Sequence, residues 1–334
     1  MRSRISLPRS MRRRGLLLLL FLVILAGAFF AASQIWQRQR PVTIAVIPRT
    51  CGTWLWEALH TGTARTARQY GYSLYWNAPM REDDVQGQID VLTHALDEKM
   101  QGIILAPVES LPLLTPVRDA VESRHASMVI VGTDLAIPPG KHLSYVLNDE
   151  AVAGRLVARR LGMKLHGRGH VAILGINHQL AGNAVRDRSF EETLSREFPQ
   201  IEICFRSLAL PNLSQEQQVA EKMLAADAKI DAIVALSEAS MRGAYYALIE
   251  YKRIGGTTLI GFDQNFVAPM RTGEIDSVVM QNTFAMGCEA MRLLHAQLLG
   301  LSHEPVVTVE PILVTRENID SPEVRATLDL SWFQ

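Results

Sequence analysis

From Pro41 onward the chain alternates two hydrophobic rhythms. Short unbroken apolar runs recur, such as Val42–Ile47, Gly102–Ala106 and Ala232–Leu236, each closed by a proline or a polar residue. Between them lie longer stretches with apolar residues three and four apart. Val85, Ile89, Leu92 and Leu96 share one face of such a stretch, the spacing of an amphipathic helix.

These rhythms predict strands at Val42–Ile47, Tyr72–Trp76, Gly102–Ala106, Ser127–Val131 and Leu143–Leu147. Helices are expected at Trp54–Tyr70, Val85–Lys99 and Val117–Arg124 between them. The pattern then restarts. Helices are expected at Ala151–Leu165, Ala184–Glu197, Gln215–Ala226, Ser240–Tyr251, Phe266–Arg271 and Thr283–Leu299. Strands are expected at His170–Leu174, Ile201–Ser207, Ala232–Leu236, Thr258–Gly261 and Ser277–Met280.

Apolar strands bounded by Gly and Pro and alternating with helices imply βαβ units and mostly parallel sheets, covered on both faces. Two consecutive series imply an α/β chain with two doubly wound lobes. In such sheets a ligand sits beyond the carboxyl ends of the strands. Those ends carry Arg49 to Trp56, Pro107 to Ser110, Asp134, Asn148-Asp149, the Ile176–Arg186 loop, Ser237-Glu238, Asp263 and Gln281. Aromatic surfaces beside carboxylates, amides and arginine suit a sugar, which has apolar C–H faces and directional hydroxyls. Several of these groups also have a plainer reading. Asp149 is placed to cap the helix that follows, Asp263 to cap the next helix, and Asp134 to cap a turn.

Composition narrows the picture. Thirty-four basic and 34 acidic residues cancel in 334, so there is no electrostatic footprint for nucleic acid. The basic charge is uneven, with Arg12-Arg13-Arg14 directly before the apolar run Gly15–Ala32. That layout predicts a signal peptide or an uncleaved membrane anchor at residues 12–32, with everything beyond it exported. Cys51, Cys204 and Cys288 are too few for a disulfide framework and read as small buried hydrophobes. The nine histidines show no metal-ligand spacing.

The matching stretches VTIAVIP, GIILAPVES, MVIVGTD, YVLNDEAVAGRLVARRL, GRGHVAILG, AVRDRSFEETL, LIGFD and VVMQNTFAMGCEAM run in order through the chain. Together they resemble the type I periplasmic sugar-binding proteins, the ribose-binding-protein-like group that shares its fold with lactose-repressor ligand domains. The resemblance implies two Rossmann-like lobes joined by three crossovers. It puts residues 1–40 in the signal or anchor, 41–147 plus 282–305 in the first lobe, and 148–280 in the second. Residues 306–334 hold the third crossover and a tail. It carries ligand contacts to Trp56, Asp134, Arg186, Asp263 and Gln281, adds Asn148 at the first crossover beside a position where some members contact ligand, and has Ser237 where the family usually has asparagine. Leu55 stands for an aromatic residue and Leu135 for an arginine, which argues against ribose itself.

The expected function is capture of a small polar ligand, a monosaccharide, by hinge closure in the periplasm or at the extracytoplasmic face of the membrane. Delivery would be to an ABC permease or, in the alternative reading, to a membrane sensor. No cofactor, metal or catalysis is expected. The turn after the first strand has neither a dinucleotide fingerprint nor a P-loop. Cys51 and His178 are the nearest approach to a nucleophile and base. A regulator of transcription would need an N-terminal helix-turn-helix, where the chain has its apolar run.

Overall fold

The computed structural model describes residues 42–51, 54–81, 83–178, 181–210, 212–226 and 229–328. The signal or anchor expected at residues 12–32 lies outside them. Among the described residues no helix is long and apolar enough to cross a membrane.

The first lobe is built on β1 (Thr43–Ile47), β2 (Ser73–Trp76), β3 (Gly102–Leu105), β4 (Ser127–Val131) and β5 (Leu143–Asn148). Between the first four run α1 (Trp54–Tyr70), α2 (Val85–Asp97) and α3 (Ser110–Glu122). The second lobe follows with α4 (Glu150–Lys164), β6 (Arg168–Ile176), α5 (Ala181–Glu197), β7 (Gln200–Leu208) and α6 (Leu213–Ala226). It continues through β8 (Ala232–Ala235), α7 (Glu238–Glu250), β9 (Thr258–Gly261), a 3₁₀ turn at Gln264–Phe266, α8 (Val267–Thr272) and β10 (Ser277–Met280). Then come α9 (Thr283–Leu298), β11 (Val306–Val309), β12 (Ile312–Thr315) and α10 (Pro322–Leu328).

Two six-stranded sheets result, in the orders β11-β5-β4-β3-β1-β2 and β12-β10-β9-β8-β6-β7. All pairings are parallel except β10 with β12. The chain passes between sheets at three places: from β5 into α4, from β10 into α9, and from β11 into β12. Each sheet is wound the same way, and strand order reverses at β1/β3 in the first lobe and at β6/β8 in the second. A crevice opens at such a reversal, because the flanking connections leave to opposite faces.

Apolar residues on both faces of each strand make this sandwich. In β6, Val171 and Ile173 pack under α4 and α5, with Phe190 and Leu194. The alternate residues Ala172 and Leu174 face the other layer, with Met223, Met241 and Leu248. In the first lobe Ala45, Ile103, Ile130 and Leu92 share a core. Fully burying the larger of these side chains, Val, Ile, Leu, Phe and Met, stabilises by roughly 1.5–3 kcal/mol each.

The structure departs from the sequence reading in a few elements. Helix α3 starts at Ser110 rather than at Val117. Pro112 and Pro116 read as breakers, but Pro112 sits in the first turn, where its missing N–H has no intrahelical acceptor to lose. Val306–Thr315 forms two strands, one in each sheet, split by Pro311. In the tail, Val324 of α10 belongs to the second lobe's core, while the helix also touches α1 and α9 of the first lobe. None of the three cysteines forms a disulfide; all three are expected buried, but Cys204 is exposed and Cys51 and Cys288 are only half-buried.

Candidate functional site

Each lobe places an arginine at its strand-order reversal. Arg49 follows β1. Its Nε donates to Pro107 O beyond β3 at 2.8 Å, and its Nη2 donates to Thr133 Oγ1 beyond β4 at 2.8 Å. The guanidinium therefore bridges the reversal. Its carbon also lies 5.8 Å from the Trp56 ring centroid. Trp56, expected to stack on ligand, is 4% exposed and is walled by Arg49. The Trp54 side chain lies outside the described residues.

In the second lobe Arg186 comes from the first half of α5 and is 6% exposed. Its Nε donates to Glu150 Oε2 at 2.7 Å, Nη2 stands 2.6 Å from the same oxygen, and Nη1 donates to Leu236 O at 2.7 Å. Leu236 directly follows β8, so this arginine too marks the reversal. Its flat face lies 3.9 Å from the Phe262 ring centroid. Glu150 opens α4 just past the first crossing, and its Oε1 accepts from Asn148 Nδ2 at 3.0 Å. Asn148 is buried, and its Oδ1 has no hydrogen-bond partner.

Asp263 is 3% exposed. Its Oδ1 accepts from Asn265 N and Nδ2 at 2.8 and 2.9 Å, so it caps the 3₁₀ turn that leads into α8, where its plainer reading puts the cap of the helix itself. Its Oδ2 accepts from Arg242 Nε at 2.5 Å. That bond to the buried carboxylate holds Arg242 above the ordinary guanidinium value. A carboxylate has about four acceptor sites, and these bonds use most of them. Helix α1 touches the 3₁₀ turn that follows Asp263, which brings the two lobes' strand-end loops together.

The other expected residues are less committed. Ser237 caps α7 in a capping box with Ser240, so its hydroxyl is already used. Gln281 is half-buried at the second crossing. Asp134 is exposed, and its Oδ1 accepts from Ala136 N at 2.8 Å, an arrangement that closes the turn. Asp149 caps α4 through Val152 N. Glu150, Arg242 and Thr133 were not anticipated as partners. Glu150 reads as an ordinary first-turn acid, and Arg242, four residues after Glu238, reads as half of a surface helix pair.

Cys51 is not poised as a nucleophile: burial, then the charge of Glu57, pushes its thiol up, away from the thiolate. His178 stands 3.0 Å from Asp187. Among the described residues no three His, Cys, Asp or Glu side chains stand close enough to hold a metal ion.

Just past Trp56 on α1, Glu57 Oε2 and His60 Nδ1 are buried 4.0 Å apart. Burial raises the Glu57 carboxyl above its ordinary value and lowers His60 below its own. For a carboxyl raised by folding, stability is complete below the unfolded value and is lost as pH rises through the folded one. Glu57→Gln is therefore expected to be more stable than the wild type at neutral pH. Urea denaturation should show that advantage vanish as pH falls below the ordinary carboxylate range.

Residues 44–302 match the family described as periplasmic binding protein domain. The D-allose-binding periplasmic protein of Escherichia coli (strain K12) is 24% identical over 311 residues, which cover 88% of this chain and 96% of the relative. Among solved structures, AraP, an arabinose binding protein from Geobacillus stearothermophilus, matches with a TM-score of 0.78 at 21% identity. That match covers 84% of this chain and 99% of the other. An ABC transporter solute binding protein from Agrobacterium vitis, bound with alpha-D-tagatopyranose, matches with a TM-score of 0.74 at 18% identity, covering 86% and 98%. These likenesses establish a shared fold.

Proposed function

The chain belongs to the periplasmic binding protein domain family, and on that premise we propose that it is an exported solute-binding protein that captures a sugar between its lobes. The ligand is a monosaccharide, held by hinge closure and handed to an ABC-type importer, with no chemical step. Trp56 with Arg49 forms the first-lobe wall. Arg186, Asp263 and Asn148 form the second-lobe wall and the crossing, with Ser237, Gln281 and Asp134 at the edges.

The observation that carries this reading is the Asn148 side-chain oxygen Oδ1, buried without a partner at a crossing between the lobes. An unsatisfied buried acceptor costs about 1–3 kcal/mol. A ligand hydroxyl would remove that cost, and would do so at the point about which the lobes turn. A ligand shifts an open–closed equilibrium by its differential affinity for the closed form. A group at the crossing that the ligand satisfies supplies such a difference.

The test is a thermal-shift series on the purified protein with D-allose, arabinose and D-tagatose. Bound ligand raises apparent stability by mass action, about 2.7 kcal/mol at a hundredfold excess over Kd. At least one sugar is expected to raise Tm, and Asn148→Ala to remove most of the rise. No rise with any pentose or hexose would overturn the sugar assignment.

A further inference from the structure

The charged groups in the second-lobe wall arrive with their charge already cancelled. Arg186 is buried, and its partner Glu150 is nearly so, with side-chain exposures of 7% and 14%. Asp263 has a side-chain exposure of 0% and is matched by Arg242. The Arg186–Glu150 pair is specifically accommodated. Glu150 stands in the first turn of α4, behind the Asp149 cap, where the positive end of the helix dipole favours a carboxylate. Opposite it, the first turn of α5 has Gly182, whose added Cβ would lie 3.2 Å from Glu150 Cγ. A larger residue there would press on the carboxylate's stem.

A buried guanidinium with no counter-charge is a strong site for a carboxylate or phosphate, because its fork matches two oxygens. Arg186 lies at the reversal where ligand is expected, yet Glu150 occupies the fork's Nε–Nη2 edge. The donors left over belong to a neutral pair, which can give hydrogen bonds to hydroxyls but has no net attraction for an anion. Moreover, an incoming carboxylate would meet Glu150's own charge within the same low-dielectric wall.

We infer that Glu150 is the specificity-determining residue for ligand charge: by neutralising Arg186 it makes the cleft accept uncharged sugars and refuse acidic ones. The inference rests on the sugar-capture reading. Glu150 is a positioning residue, acting on the ligand through Arg186.

The decisive comparison uses wild type, Glu150→Gln and the double variant Glu150→Gln/Arg186→Met, titrated by calorimetry with D-glucuronate and with inorganic phosphate. Glu150→Gln is expected to bind D-glucuronate about tenfold or more tighter than wild type, and to gain phosphate affinity as well. The double variant should lose both gains, because they require Arg186. A merely structural role for Glu150 would not create anion affinity. The inference is overturned if Glu150→Gln binds these anions no better than wild type, or if the gain survives in the double variant. Should Glu150→Gln fail to fold alone, its refolding in phosphate is compared with refolding in chloride at equal ionic strength. Rescue by phosphate, absent from the double variant, supports the inference, and lack of rescue overturns it. Because both probes are anions, a wild type that binds no neutral sugar would sink the sugar reading while leaving this comparison to be read separately.

Discussion

Arg186→Met is expected to lower unfolding free energy by about 3–5 kcal/mol, the cost of removing one partner of a buried ion pair. The Glu150 carboxylate would keep Asn148 Nδ2 as a donor but lose its cation. Leu236 O would lose its 2.7 Å donor, and the Phe262 ring would lose the guanidinium 3.9 Å above it. Methionine restores much of the volume, so the loss reports charge and hydrogen bonding rather than a cavity. Urea denaturation with an unchanged m-value measures it. The diagnostic result is the double variant Glu150→Gln/Arg186→Met, which should be more stable than Arg186→Met alone. A loss below about 1 kcal/mol for the single variant would mean that the pair is solvated, in the range of exposed ion pairs.

Gly154→Ala should weaken both stability and ligand binding, although it adds a single methyl group. Gly154 lies in α4, where α4 packs against α5. Its added Cβ would collide with the backbone carbonyl of Arg186 and would lie 2.8 Å from Phe190 N. Backbone cannot step aside as a flexible side chain can, so α5 must shift as a unit. Overpacking of this kind costs roughly 1–3 kcal/mol. The functional consequence is larger than the stability loss suggests. Moving α5 moves Arg186 relative to Leu236 O and Glu150, and a ligand that needs that geometry should lose about tenfold in affinity. Equal loss is not expected at Gly62, where α1 approaches α9 at the carbonyl of Phe284. That contact lies within the first lobe, away from Arg186.

The strand ends that hold this candidate site could be read from sequence, for a physical reason. Strand ends in doubly wound sheets are set by short apolar runs, and these are conspicuous in VTIAVI, GIIL and AIVA. Arg186 and Asp263 stood out because they follow such runs or their connecting loops. Their partners did not. Glu150 lies 36 residues before Arg186 and Arg242 lies 21 before Asp263, so neither pairing has a sequence rhythm. The pairings arise when α4 and α5 close against one another and when α7 docks beside β9. Asp134 serves a local role as well. It stands at a strand end, and one of its carboxylate oxygens accepts from its own chain two residues on, which closes the turn as its plainer reading expects. The final strands were missed because Pro311 interrupts an otherwise apolar run, and a four-residue strand has too few positions to show its period.

The two lobes as one ligand-driven hinge can be tested most directly by small-angle X-ray scattering of the purified protein, titrated with D-allose, arabinose and D-tagatose in turn. With at least one of them the radius of gyration should fall on saturation, and Asn148→Ala should blunt that fall at the same sugar concentration. Scattering curves that superpose with and without every sugar would contradict closure about a shared guest.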